Sequence, residues 1–283
     1  MRKIRTFIKV IVLSLLLLSN GIQSKAQTWD TLPYLTHGVN AIDFINYNDT
    51  LVIVGNFFVI PPLIPPFTGS KFVVGWDSLN YHLFSDNLST WNGGGNVLGI
   101  YNKRLYIGGS FGQYTNPNEI NKLAVWNGTE WEKFGNAVMG AGKIDQFKVY
   151  RDTLYIGGDF GININGIDDG FLVKWNDTSF YTFPSMQTHP TGIEVYNDVL
   201  YAGLYSCFSV GSGQYVCNLG KYSGQAWSNV YDKNGNLFQS CVNSMLTDTI
   251  NNDLYIACIS IYRYDGEFFH HIGGAGSQVN THA

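Results

Sequence analysis

The chain has 283 residues, of which 45% are hydrophobic, 15% aromatic and only 13% charged, and it contains 32 glycines. Five of its 17 Lys and Arg residues and none of its 21 Asp and Glu residues lie in the first 26 positions, so the remainder carries 12 basic and 21 acidic side chains and a net charge of −9. Nucleic-acid binding needs clustered Lys and Arg, and the longest such cluster in the remainder is Lys103-Arg104. The composition therefore argues against a nucleic-acid partner.

The first 26 residues have the three parts of a secretory signal peptide. Four basic residues begin the segment, Val10 to Leu18 is apolar, and Ser24-Lys25-Ala26 supplies a small-residue cleavage site. The apolar run is much shorter than the roughly 20 residues that a membrane-spanning helix needs. We expect cleavage after Ala26, a secreted or cell-surface location in a bacterium, and no transmembrane segment in the mature chain.

One phrase recurs along the rest of the chain. Leu105-Tyr106-Ile107-Gly108-Gly109 returns at Leu154 to Gly158, and weaker copies begin at Leu51, Leu200 and Leu254, at intervals of 46 to 54 residues. Asn, Asp and Gly separate short strand-like runs throughout, which predicts an all-β protein. The constant period indicates a repeat architecture.

Each copy is predicted to hold two hairpins, made from strands a to d. In four of the five copies an aromatic residue lies four positions before the Leu, and turn residues such as Asn48-Asp49 separate the two, so strand a turns directly into strand b. The fifth copy has a longer turn, Thr249 to Asp253. Downstream, two aromatic residues five positions apart flank hairpin turn residues and mark strands c and d. These pairs are Trp76 and Tyr81, Trp126 and Trp131, Trp175 and Phe180, Tyr222 and Trp227, and Tyr264 and Phe269.

Four-stranded antiparallel units of this length predict a β-propeller, and they match the ~50-residue kelch blade better than the ~40 to 45 residues of a WD40 blade. The domain is expected over 27–283, with blades at about 36–87, 92–135, 138–184, 190–231 and 239–273. Trp29 to Leu32 matches strand d, and Gly274 to Asn280 resembles the entry to strand a. We therefore predict five complete blades plus a partial sixth, which would fit a longer natural chain. The alternative is a five-bladed ring with frayed ends.

The double glycine at the end of strand b, the Trp on strand c and the aromatic on strand d resemble the kelch and galactose-oxidase type of propeller repeat. The chain is more similar still to repeats of secreted bacterial proteins that read LYIGG-F … LA-WNGT-W, here Leu105 to Phe111 and Leu123 to Trp131. The resemblance covers about 28–273 and implies the propeller fold. It also implies an association with type IX secretion, whose substrates usually end in a sorting domain that this sequence does not show. Because propellers host many functions, it implies no particular activity.

Structural roles are expected for the repeated residues. Glycines on strand b lack a Cβ and so allow the neighbouring blade to approach closely. The Trp and Tyr series alternate within strands, which predicts a core between blades rather than platforms for ligand stacking.

The short a–b and c–d turns must lie on one face of the propeller, which leaves the long b–c and d–a connections on the other, the loop face. Variable loops on a rigid scaffold commonly carry binding sites, so a ligand is expected on this face or at the central channel. The segment 163–169 partly matches a calcium loop but lacks its first Asp and its final Glu, so we predict an acidic turn without metal. The candidate ligand-binding residues are Trp91, Tyr114, Asn163, Asn165, Asp168 and Asp169.

No catalytic residues are predicted. The six histidines show no metal-ligand spacing, a G-x-S-x-G elbow is absent, and the copper ligands of galactose oxidase have no match, so no cofactor is expected. The prediction is a secreted or surface-displayed β-propeller acting as a binding or scaffold module for a glycan or protein. The alternative is a carbohydrate-active enzyme or galactose-oxidase-like oxidoreductase with a site at the propeller centre, built from residues of several blades.

Four cysteines fall in the last third of the chain. Cys207 and Cys217 flank the b–c connection of blade four, while Cys241 and Cys258 lie on either side of the a–b turn of blade five. Export favours disulfides, and the hairpins favour the two local pairings, although the second is a residue or two out of register. The alternative is buried free thiols.

Overall fold

The computed structural model describes residues 35–59, 71–79, 81–84, 88, 93–112, 120–133, 135, 138–164, 167–183 and 186–274. Within these ranges all regular secondary structure is β, in 22 strands, as the sequence predicts. No segment of these ranges forms a helix that could span a membrane. The predicted signal peptide and most of the predicted partial sixth blade lie outside the described residues.

Five four-stranded antiparallel sheets form the five blades of a β-propeller, and each sheet is a meander whose strands follow chain order from a to d. Blade 1 comprises β1 Leu35–Tyr47, β2 Thr50–Val59, β3 Lys71–Trp76 and β4 Tyr81–Leu83. Blade 2 comprises β5 Gly95–Tyr101, β6 Arg104–Gly109, β7 Leu123–Trp126 and β8 Trp131–Glu132. Blade 3 comprises β9 Val138–Tyr150, β10 Thr153–Ile164, β11 Ile167–Trp175 and β12 Phe180–Thr182. Blade 4 comprises β13 Pro190–Tyr196, β14 Val199–Leu204, β17 Leu219–Tyr222 and β18 Trp227–Asn229, with an added hairpin of β15 Phe208–Gly211 and β16 Gln214–Val216. Blade 5 comprises β19 Ser244–Asp248, β20 Asp253–Ala257, β21 Ile261–Tyr264 and β22 Phe269–Gly273.

The predicted a–b turns are confirmed in blades 1 to 4. Both turn residues have positive φ in each, for example 48° and 59° at Asn197 and Asp198, as a tight two-residue hairpin requires. The c–d turns use another local device, in which the first turn residue accepts a backbone N–H three positions later. Asn127 Oδ1 accepts from Glu130 at 2.9 Å, and Asp265 Oδ1 accepts from Phe268 at 2.8 Å.

The predicted aromatic pairs on strands c and d are also confirmed. In every blade the two residues are direct partners across the strands. Their ring centroids lie 4.6 to 5.3 Å apart. A five-residue spacing produces this geometry because a tight turn returns the chain directly opposite its entry point.

Strands a lie around the central axis, since β1 contacts β5, β5 contacts β9, β9 contacts β13 and β13 contacts β19. Tyrosine hydroxyls at the ends of these strands donate to turn carbonyls of the next blade: Tyr101 to Asp152 at 2.8 Å and Tyr196 to Asn252 at 3.1 Å. Between blades 2 and 3, Tyr101 and Tyr106 are buried against Ile144 and Leu154. The aromatic series therefore fills the core between blades, as predicted.

The strand-b glycines are points of close approach between blades. A Cβ added at Gly108 would lie 2.5 Å from Ile144 Cγ2 and 3.0 Å from its Cβ, and one added at Gly157 would lie 2.5 Å from Ile193 Cδ1. Each contact is to strand a of the following blade. A methyl group would force the blades apart at these positions, which explains the repeated double glycine.

We expect Gly108→Ala to lower the free energy of unfolding by about 1 to 3 kcal/mol, because the β-branched Ile144 leaves no space for the new methyl group. Urea denaturation followed by tryptophan fluorescence measures the change. The matched control is Gly161→Ala on strand b of blade 3, where an added Cβ would lie 3.9 Å from its nearest neighbour, Gly140 Cα. Equal stability of the two variants would contradict the assigned role of Gly108.

Candidate functional site

Four of the inner strands carry an extra residue near the loop face, and β1 and β9 each have a second register shift closer to their first residue. The pairing of strands a and b shifts at Ile42, Asn96, Asp145 and Thr191, in blades 1 to 4 respectively. In blades 2 and 3 the shift falls opposite the double glycine of strand b. Such β-bulges re-aim side chains and are common beside functional sites.

Polar side chains at these bulges join neighbouring inner strands. Asn96 Nδ2 donates to Asp145 Oδ1 at 2.9 Å, and Lys143 Nζ lies 2.9 Å from Asp145 Oδ2. Gln146 Nε2 donates to the Thr191 carbonyl at 3.2 Å, and the Thr191 hydroxyl donates to the carbonyl of Val242. We call Asn96, Lys143, Asp145, Gln146 and Thr191 the channel cluster. Its members are partly or fully exposed, and so can exchange these contacts for a ligand.

A second polar layer lies closer to the turn face. Lys148 Nζ is 2.5 Å from Glu194 Oε1, and the Glu194 side chain is only 6% exposed. The same carboxylate accepts the backbone N–H of Val195 at 2.8 Å. Pairing and hydrogen bonding offset the cost of burying this charge. This layer therefore holds blades 3 and 4 together beneath the channel cluster.

The channel cluster offers hydrogen-bond donors and acceptors from several blades, with one carboxylate held beside an ammonium group. No group of three or more His, Cys, Asp or Glu suited to a metal ion occurs among the residues that the structure describes. Burial between the blades raises the pKa of Tyr106 to about 12. This tyrosine belongs to the hydrophobic core and not to the channel cluster. The arrangement can recognise polar groups such as hydroxyls and amides.

Of the predicted ligand-binding residues, Trp91, Tyr114 and Asn165 lie outside the described residues. Asn163 lies on β10 opposite Asp168 on β11, and Asp169 pairs with Ile162. For Asp168 and Asp169 only the backbone is described. The structure therefore brings three of the six candidates to one hairpin.

The prediction that 163–169 forms an acidic turn is wrong over most of its length, because β10 runs to Ile164 and β11 begins at Ile167. Ile162 is buried in the core of blades 2 and 3, so the extended pairing gains apolar contact that the Asn and Asp content did not suggest. The candidate acidic turn is thereby reduced to the tip of a long β-hairpin.

One of the two predicted disulfides is present in the structure. Cys207 and Cys217 form a disulfide with an S–S distance of 1.99 Å, whereas Cys241 and Cys258 are free thiols in the structure. The segments that carry the two cysteines are paired through their backbones, since Asn243 N donates to Ala257 O. The Cys258 thiol is nevertheless buried in the core of blades 4 and 5, whereas Cys241 is exposed. Burial raises the pKa of the Cys258 thiol to about 12, and the nearby Cys241 thiol makes a smaller contribution in the same direction. The expected second bridge is therefore not formed.

The sequence does not reveal the channel cluster. A bulge depends on the register between two strands, and no residue type in strands a specifies it. The one available signal is the double glycine, which lies opposite the bulge in blades 2 and 3. Its meaning becomes clear only when the pairing is known.

No protein-family model matches the chain. No curated protein matches it either. Two solved structures of the extracellular domain of BT4673 from B. thetaiotaomicron are similar in fold, with TM-scores of 0.58 and 0.57 at 15% sequence identity. In one structure BT4673 is named a candidate one component system, and in the other a candidate hybrid two component system. Each match covers 86% of this chain and 29% of the other, so the likeness concerns the propeller fold alone.

Proposed function

We propose that this chain is a secreted or surface-displayed binding or scaffold module that recognises a glycan or protein on its loop face. The observation that carries the proposal is the channel cluster, where three neighbouring blades present interlinked polar groups at one end of the inner strands. Sites that recognise ligands commonly combine a rigid scaffold with a few placed polar groups.

The predicted export signal and the excess of acidic residues support an extracellular role. The fold relatives are extracellular domains, which is compatible with the same location for this chain. In the cluster, Asp145 accepts from both Asn96 and Lys143, so its carboxylate is oriented before any ligand arrives. Such preorganisation lowers the entropic cost of binding.

The first experiment is a screen of the full chain on a glycan array and in pull-downs from extracellular material, with metal analysis of the same sample. For the ligand identified, we expect Asp145→Ala to weaken binding at least tenfold, because it removes the acceptor at the centre of the cluster. Calorimetric titration measures the affinity, and thermal unfolding measures the stability of each variant.

The control is Glu130→Ala, an exposed carboxylate in a c–d turn on the opposite face. It should leave affinity unchanged. Absence of any ligand from both screens, or equal affinity of the two variants, would contradict the proposal. Hydrolysis or oxidation of a bound glycan would move the assignment to the enzyme alternative.

A further inference from the structure

The hairpin β15–β16 is an insertion in the b–c connection of blade 4, and it is held rigidly. The Cys207–Cys217 disulfide closes its base. Phe208 and Val216 are each 1% exposed, and the Phe208 ring meets the Trp227 ring edge-on with centroids 6.2 Å apart. The hairpin is therefore closed by a covalent bond and fixed to blade 4 by apolar packing.

Asn229 at the end of strand d fastens the hairpin from the other side. Its Oδ1 accepts the backbone N–H of Cys217 at 2.8 Å, and its Nδ2 donates to the carbonyl of Tyr215 at 2.8 Å. The same Nδ2 is 3.5 Å from the hydroxyl of Tyr231. One amide group thus brings the hydroxyl end of Tyr231 beside the backbone of Tyr215.

The two tyrosines remain open to solvent on this fixed support, at 57% exposure for Tyr215 and 50% for Tyr231. The hairpin from Phe208 to Val216 contains no charged residue and offers Ser, Gln and Gly around the aromatic ring. A Cβ added at Gly211 or Gly213 would meet nothing within 4 Å, so the hairpin tip is also unobstructed. We call Tyr215, Asn229 and Tyr231 the rim platform.

We infer that the rim platform binds a neutral glycan, an inference that rests on the proposed binding function and adds to the channel cluster a second site with a named ligand class. The C–H-rich face of a pyranose ring packs against an aromatic face, while tyrosine hydroxyls and amides exchange hydrogen bonds with sugar hydroxyls. Tyrosine supplies this contact at low entropic cost because its ring has few rotatable bonds. Sequence reasoning concentrated on the repeated aromatic series and on loop residues such as Trp91 and Tyr114, and assigned no role to Tyr215 or Tyr231.

The chemistry of the platform favours this class of ligand over others. Phosphate backbones and anionic membranes require clustered cations, and the hairpin has none. A stable protein interface buries about 800 Å² on each partner around an apolar centre, and the hairpin has turned Phe208 and Val216 inward. What the hairpin leaves outside is aromatic, uncharged and rich in hydroxyl groups. The two charged residues that follow Tyr231 have other partners, Asn236 for Asp232 and Glu267 for Lys233.

The test measures binding of the full chain to neutral hexasaccharides of glucose, mannose, xylose and N-acetylglucosamine, by calorimetric titration and by chemical-shift changes of the sugar. We expect at least one to bind, Tyr215→Ala and Tyr231→Ala each to weaken it at least tenfold, and Tyr215→Phe to retain most of the affinity. The matched control is Tyr181→Ala on blade 3, whose tyrosine is 45% exposed and which should change nothing.

Failure of this inference is distinguishable from failure of the proposed function. A glycan whose affinity falls with Asp145→Ala and is unaffected by Tyr215→Ala would overturn the rim platform and leave the binding module in place. Binding of a protein through the platform, without any neutral glycan, would also overturn it. Equal losses in Tyr215→Ala and Tyr181→Ala would show that neither ring contacts sugar specifically.

Discussion

Replacing Trp131 with alanine is expected to lower the free energy of unfolding by about 3 to 5 kcal/mol. The side chain is 1% exposed and belongs to the core shared by blades 1 and 2. Its ring lies 5.3 Å from Trp126 and 5.8 Å from Phe84, centroid to centroid. Truncation would leave a cavity where two sheets meet, and rigid strands on both sides cannot collapse to fill it.

Urea denaturation monitored by far-ultraviolet circular dichroism measures this change, because it does not depend on the lost tryptophan. The control is Leu79→Ala, a large apolar residue that is 79% exposed in the c–d turn of blade 1 and should change stability by less than about 0.5 kcal/mol. A loss for Trp131→Ala no larger than that of the control would contradict packing between blades as the main source of stability.

The second large effect is expected from the disulfide. Replacing Cys207 and Cys217 together by serine should lower the free energy of unfolding by about 2 to 3 kcal/mol, because the bridge restricts a short loop in the unfolded chain. The same double variant should weaken glycan binding, since the bridge closes the hairpin that carries Tyr215. Urea denaturation and the hexasaccharide titration report the two effects separately.

The control for the disulfide is Cys241→Ser, which removes an exposed thiol and should leave stability unchanged. Alkylation of the unfolded, unreduced protein followed by mass analysis should find two free thiols, at Cys241 and Cys258. Four alkylated cysteines would rule out the Cys207–Cys217 bridge. None would show that Cys241 and Cys258 are also bridged, contrary to the structure.

The hairpins illustrate how much of this fold follows from short stretches of sequence. Asn197-Asp198 predicts a turn with positive φ, and the five-residue interval from Trp126 to Trp131 predicts two opposed rings. The local disulfide follows from the same logic, because ten residues separate its cysteines. Each prediction concerns partners that a tight turn brings together, so residue type and spacing are sufficient.

The candidate sites follow from contacts between distant parts of the chain. Asn96 meets Asp145 across 49 residues, and a bulge in each of two strands sets their positions. Asn229 joins strand d to the inserted hairpin, which turns Phe208 inward and leaves Tyr215 in solvent. These outcomes depend on strand register and on which face another blade covers.

The amino-acid sequence by itself determined the all-β class, the hairpins and their repetition, because turns and alternating strands act over a few residues. Only the tertiary structure decided that 161–169 extends a hairpin, that Cys258 is buried while Cys241 is exposed and the two remain unbridged, and which polar and aromatic side chains remain accessible. Accessibility depends on the packing of whole sheets, which the local pattern of residues does not specify.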